Sequence, residues 1–150
     1  MQYCNLVWGN AAESLLDPLK KMQNRIIRIL SFAPFNCQNV DVLYDDLQIL
    51  SLKQIHKVAK GKFVFKYKNK KLPSNFDNYL VNTNDLHRHN LRSSASSNYT
   101  KVWGRSSHSM KMIRYDAVKV WESIPNEIKE MKTLNKFCEN YKCFLLNGVF

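Results

Sequence analysis

Backbone freedom is scarce in this sequence, since only four of its 150 residues are glycine and four are proline. So few glycines exclude a glycine-rich phosphate loop, and neither GxxxxGK[ST] nor GxSxG occurs. Cysteine is equally sparse. Cys4, Cys37, Cys138 and Cys143 form no CxxC pair, and the five-residue step from Cys138 to Cys143 is not a zinc-knuckle spacing, even with His87 and His89 close to each other. The four read as reduced, mostly buried thiols, and no metal or cofactor is expected. No internal repeat is present.

Negative charge is short as well. Twenty-three Lys and Arg stand against twelve Asp and Glu, a formal charge of +11, so a polyanion is the natural partner through counterion release and steering. No apolar run approaches the roughly twenty residues of a membrane span, and there is no lipidation signal. The opening "MQYCNLVWGN" lacks the basic start and following apolar region of a signal peptide. These absences lead to an expectation of an intracellular chain, nuclear or cytoplasmic, that meets RNA or DNA and no membrane. Core material is plentiful: 45% hydrophobic residues with 12% aromatics suffice for one domain and exclude a wholly disordered chain.

The clearest helix is "LDPLKKMQNRIIRILSF", where Asp17 is placed to cap, Pro18 suits the first helical position and Pro34 lies past the end. Leu15, Leu19, Met22, Ile26 and Ile29 alternate steps of four and three and form its apolar stripe, while Lys21, Arg25 and Arg28 form a basic stripe on another face. In "DVLYDDLQIL" Leu43, Leu47 and Leu50 are helically spaced with Asp41 as a cap. Ser51 then caps "LKQIHKVAKGKFVFKYKNK", with Leu52, Ile55, Ala59 and Phe63 inward and Lys53, Lys57 and Lys60 outward. Gly61 marks either a close approach between helices or a break.

From "KKLPSNFDNYL" to "SSASSNYTKVWGRSSHS" periodicity is lost in a long irregular segment. It carries Arg88, Arg92, Lys101 and Arg105 among Tyr99 and Trp103, a mixture able to track and stack on single-stranded nucleic acid, or to serve as a solvated linker anchored by its aromatics. Met110, Met112, Ile113, Val118 and Trp121 suggest a short strand or an extended lead into a helix closed by Pro125. "PNEIKEM" and "TLNKFCENYKCFLLNG" follow as capped helices, the second with Leu134, Phe137, Cys138, Tyr141 and Leu145 as its stripe.

The adjacent aspartates of "LYDDL" have the look of a two-metal polymerase turn, but such a site needs carboxylates from separate strands. Glu13 and Asp17, the acids ahead of this segment, belong to a helix. Asp45 and Asp46 therefore read as the wet side of a helix whose leucines face inward. No catalytic residue is expected.

Several strings nonetheless resemble one family. "YCNLVWGN", "LDPLKKMQNRIIRIL", "LQILSLKQIHKVAKGKFVFKYKNKKLPSNF", "HRHNLRSS" and "IRYDAVKVWESIPNEIKEMKTLNKF" occur in the order seen downstream of the palm in jockey-like non-LTR retrotransposon reverse transcriptases, from the thumb to the end of the polyprotein. Tyr3, Cys4, Trp8 and Gly9 are similar to its "YC..vWG" element, and Leu19, Gln23, Arg25 and Arg28 to its "L..lQ.r.iR" helix. Leu72, Pro73 and Phe76 match "lLP..f"; His89, Asn90 and Arg92 match "H..nTR", with Leu91 where Thr is common. Trp121, Ile124, Pro125 and Ile128 match "WN.LP..I", with Glu122 for Asn and Ile124 for Leu.

The resemblance implies an RNA-directed DNA polymerase as parent, in which a thumb holds primer-template and the following segment positions element RNA or target DNA. In the family the palm and endonuclease lie upstream, and Met1 falls inside what would be a thumb helix, so the chain is expected to be a fragment, an internally started product or a domesticated remnant.

The resulting expectation is a mainly α fold, a single helical domain over 1–150: a basic helical part (1–71), an irregular basic and aromatic loop (72–110) with room for a small β element in 99–115, and a C-terminal helical part (111–150). The expected function is nucleic-acid binding without catalysis, through Lys21, Arg25, Arg28, Arg88, Arg92, Tyr99, Lys101, Trp103 and Arg105. The alternatives are a scaffold that packs on the palm domain through an exposed patch of Trp8, Phe32, Phe35 and Trp121, a metal-dependent enzyme that Asp45→Ala would silence, or a relic without function.

Overall fold

The computed structural model of this chain describes residues 4–34, 39–83, 99–102 and 104–147. It is mainly helical. In chain order the helices are α1 (Asn5–Trp8), α2 (Glu13–Leu30), α3 (Val40–Asp46), α4 (Leu52–Lys68), α5 (Ser107–Met110), α6 (Ile113–Glu122), α7 (Asn126–Lys129) and α8 (Leu134–Asn147), with a 3₁₀ turn at Ser74–Phe76. Strand pairing among the described residues is one antiparallel bridge, Asn82 to Tyr99. Among the described residues the β element allowed over 99–115 reduces to that bridge, and residues 107–110 and 113–115 belong to α5 and the start of α6. The chain forms two compact units, residues 1–56 with 142–150, and residues 57–141.

In the first unit α2 begins earlier than its sequence signals indicate. Ala12 precedes its first turn, Asp17 lies within it, and the helix runs through Pro18. Pro18 has no N–H to give the Ser14 carbonyl, a loss the helix absorbs close to its N-terminal end. The residues α2 buries are Gln23 and Ile27. The apolar stripe is turned outward: Leu15, Met22, Ile26 and Ile29 are all exposed.

Gln23 is buried because its amide bridges two backbone groups. Its Nε2 donates to the Leu50 carbonyl at 2.9 Å, and its Oε1 accepts from the Leu52 N–H at 3.0 Å. One side chain thus fixes the turn between α3 and α4. Gln23→Ala strands both groups and is expected to lower unfolding free energy by about 1–3 kcal/mol, measured by urea denaturation. Gln23→Glu keeps the acceptor but sets a buried carboxylate oxygen against the Leu50 carbonyl, and should lose at least as much at neutral pH.

At the α3–α4 turn Ser51 holds the predicted cap position, and the side chain that does the capping is that of Gln54. The Ser51 N–H donates to Gln54 Oε1 at 2.8 Å and its hydroxyl to the same oxygen at 2.9 Å, one half of a capping box at the start of α4. In α3 the buried residue is Tyr44, whose hydroxyl donates to Asn24 Oδ1 at 2.9 Å. Burial first, then the Asp41 charge, raises the Tyr44 pKa.

His56 closes the unit around α1. Its Nδ1 lies 2.7 Å from Asn5 Oδ1 and its Nε2 2.8 Å from Asn10 Oδ1. A Cβ on Gly9 would stand 2.2 Å from His56 Nδ1, so only glycine permits this approach. The "NLVWGN" string is therefore a wrap for an imidazole.

The second unit holds an aromatic core. Phe65 stacks on Phe137 with centroids 4.6 Å apart, and Trp121 and Tyr141 lie 5.9 and 5.8 Å from the same ring. Ala117, Val118, Ile124 and Ile128 complete it. Gly61 is the close-approach alternative: a Cβ there would meet Tyr141 Cε1 at 3.0 Å. Met112 is extended, leading into α6 as one of the two sequence readings had it. Trp121 is fully buried, which removes it from the exposed patch expected of a scaffold; Phe32 is exposed, and Phe35 lies outside the described residues.

Lys60 also departs from expectation. Instead of facing outward it is buried and pairs with Asp116. Burial outweighs that partner and holds its pKa below the ordinary value of 10.5; burial does the same to Lys129. Both ammoniums are penalised at neutral pH, and the penalty lifts as pH rises through their lowered values. Tyrosines act oppositely: burial pushes Tyr99 up to about 12 from 10.0, and raises Tyr141 as well. Stability from these phenols is whole below their unfolded value and is lost as pH climbs through the folded ones. Far-UV circular dichroism should show stability rising modestly toward pH 10 and collapsing between about 10 and 12.

Candidate nucleic-acid interface

Lys21, Arg25 and Arg28 follow one another at steps of four and three on α2, so they share a face of the helix. Lys21 and Arg25 are exposed and Arg28 half-buried. Among the described residues neither Lys21 nor Arg25 forms an ion pair, and the acids of the same helix, Glu13 and Asp17, lie toward its N-terminus. Glu13 is engaged by Lys53 at 2.7 Å. Arg28 sits in the last turn, where a cation also meets the negative end of the helix dipole. Two free cations and a third anchored one thus project from a rigid element. That is an arrangement for contacting phosphates without reading bases.

The loop residues fare differently. Arg88, Arg92 and Trp103 lie outside the described residues. Tyr99 is buried, its ring edge-on to Tyr67 at 5.5 Å, so it offers no face for a nucleobase to stack on. The Asn82 bridge and the Thr100 N–H bond to the Val81 carbonyl at 2.8 Å draw that stretch inward. Lys101 pairs with Glu122 at 2.5 Å, which takes up part of its charge. Arg105 remains exposed.

Sequence reasoning passed over Lys68 and Lys70. They border a cleft of about 430 Å³ in the second unit, together with Asn78, Asn82, Asp77 and Tyr99. The run "KYKNKK" was the available signal. Lys68 is partly committed, donating to the Lys129 carbonyl at 3.3 Å.

Asp45 and Asp46 are both exposed on α3. Among the described residues no three His, Cys, Asp or Glu side chains are grouped to hold a metal ion. Of the thiols, Cys138 is buried, but Cys4 and Cys143 are exposed, so burial is not the common state expected of them; Cys37 lies outside the described residues. No described helix is long and apolar enough to cross a membrane. Comparison with protein-family models, with curated proteins and with solved structures found no match.

Proposed function

We propose that this chain is a thumb-like helical part of a jockey-like non-LTR retrotransposon reverse transcriptase, and that it binds RNA or DNA through the Lys21, Arg25 and Arg28 face of α2. In this reading it performs no catalysis: it supplies sequence-independent phosphate contacts, in the nucleus or the cytoplasm, to a duplex on which another domain acts. The observation that carries the binding reading is the pair of exposed, unpaired cations at i and i+4 with Arg28 one turn on, in a chain of net charge +11. The family assignment rests on the ordered strings alone.

Several of those strings have structural work in this fold. Gln23 clamps the α3–α4 turn, Gly9 admits His56, and Trp121, Ile124 and Ile128 fill the core, so their types follow from packing. Arg25 has no such role, and it is the residue on which a phosphate contact rests most directly.

The test is the salt dependence of binding to an RNA–DNA hybrid, followed by fluorescence anisotropy. Replacing Lys21, Arg25 and Arg28 together by Gln should reduce the slope of log K against log salt by about two to three, with sequence preference unchanged. An unchanged slope removes this face from the interface.

A further inference from the structure

The outward face of α2 is apolar over most of its length. Leu15, Met22, Ile26 and Ile29 are exposed, Leu19 is half-buried, and Phe32, just past the helix, is 97% exposed. Their steps of four, three, four and three are the a/d spacing of a helix that packs against another helix, sustained for roughly two heptads. The unit itself uses a different side of α2, the one carrying Gln23 and Ile27. A contiguous apolar seam left in water beside a packed face marks a contact surface.

Charge chooses the occupant. One border of the seam runs into the side that the unit packs, and the other carries Arg25, which neighbours Met22 at i−3 and Ile29 at i+4, with Lys21 and Arg28 beyond it. A second copy would bring the same cations to the shared border. An anionic bilayer takes up a helix lying flat, with cations snorkelling along both sides of its apolar face, and here one side is occupied. A helix whose apolar seam is bordered by carboxylates fits both the spacing and the sign.

We infer that the Leu15–Leu19–Met22–Ile26–Ile29 seam of α2 docks an acidic amphipathic helix of a partner protein. This contact is separate from phosphate binding, because it is made by the apolar side chains, with Arg25 lying between the two surfaces.

The probe is a synthetic helical peptide of about four heptads with Leu at a and d and Glu at e and g, alongside a twin with Lys in place of Glu. Isothermal titration with the full chain should show the acidic peptide binding at least tenfold more tightly than its twin. Ile26→Gln should weaken binding at least tenfold while leaving the circular dichroism spectrum and the affinity for the RNA–DNA hybrid intact, since Ile26 is exposed and the charge of α2 does not change. Met22→Gln is the second variant and should behave alike. Equal binding of the two peptides, or none, overturns the inference. So does a chain that dimerises by itself in sedimentation and becomes monomeric as Ile26→Gln, or one that binds phosphatidylserine vesicles through Ile26 but not the peptide. Loss of peptide binding with hybrid binding kept, or the reverse, separates this contact from the nucleic-acid reading.

Discussion

Trp121→Ala is expected to lower unfolding free energy by about 3–5 kcal/mol, a large share of the 5–15 kcal/mol that a domain commands. The indole is fully buried, 5.9 Å from Phe137, and the Lys129 ammonium lies 5.8 Å from its ring. Truncation removes the centre of the second unit, and the stacked Phe65 and Phe137 rings cannot close the space without leaving each other. Trp121→Phe should lose much less. It keeps most of the ring, and the indole N–H has no hydrogen-bond partner among the described residues to forfeit. Denaturant unfolding of both variants measures the difference; equal losses would show that volume at this position does not set stability.

Asp116→Ala should have an effect of similar size for a different reason. Lys60 is nine-tenths or more buried, and Asp116 is its partner. Removing the carboxylate leaves an ammonium in the core without its countercharge, a loss of about 3–5 kcal/mol. The double variant Lys60→Met with Asp116→Leu removes the charge as well and should recover most of the stability, because apolar replacements of buried pairs are often neutral or better. A double-mutant cycle decides it: two single losses that simply add would contradict a coupled pair. Because burial already lowers the Lys60 pKa, the Asp116→Ala variant should also regain stability as pH rises from that lowered value, where the folded lysine gives up its proton, to 10.5, where the unfolded one does.

The helices of this fold were legible where one face is apolar and the chain itself covers that face. In α8, Phe137, Cys138 and Tyr141 share a stripe and are buried as their spacing indicates. Ser51 stands at the cap position that its place before a periodic run indicates, and Gln54 reaches back to its N–H. In α2 the same kind of reasoning found the stripe but not its surroundings. Periodicity shows which residues share a face and is silent on what lies against it, so Leu15, Met22, Ile26 and Ile29 looked the same as a core stripe.

Buried polar residues escaped for a related reason. Gln23 is buried by virtue of Leu50 and Leu52, 27 and 29 residues away, and Lys60 by virtue of Asp116, 56 residues on. No local pattern encodes such partners. Tyr99 looked like an exposed aromatic in a basic loop, yet the bridge to Asn82 folds it against Tyr67. Of the candidate interface, the part on a regular helix was legible, because helical spacing fixes the common face of Lys21, Arg25 and Arg28 before any tertiary contact is known.

The most direct measurement is an NMR titration of the isotopically labelled chain with an RNA–DNA hybrid at low salt, reading where amide shifts change. The phosphate-binding account predicts that the largest changes cluster on α2 around Lys21, Arg25 and Arg28 and fade as salt is raised. Changes confined to other elements, or none at all at low salt, would contradict it.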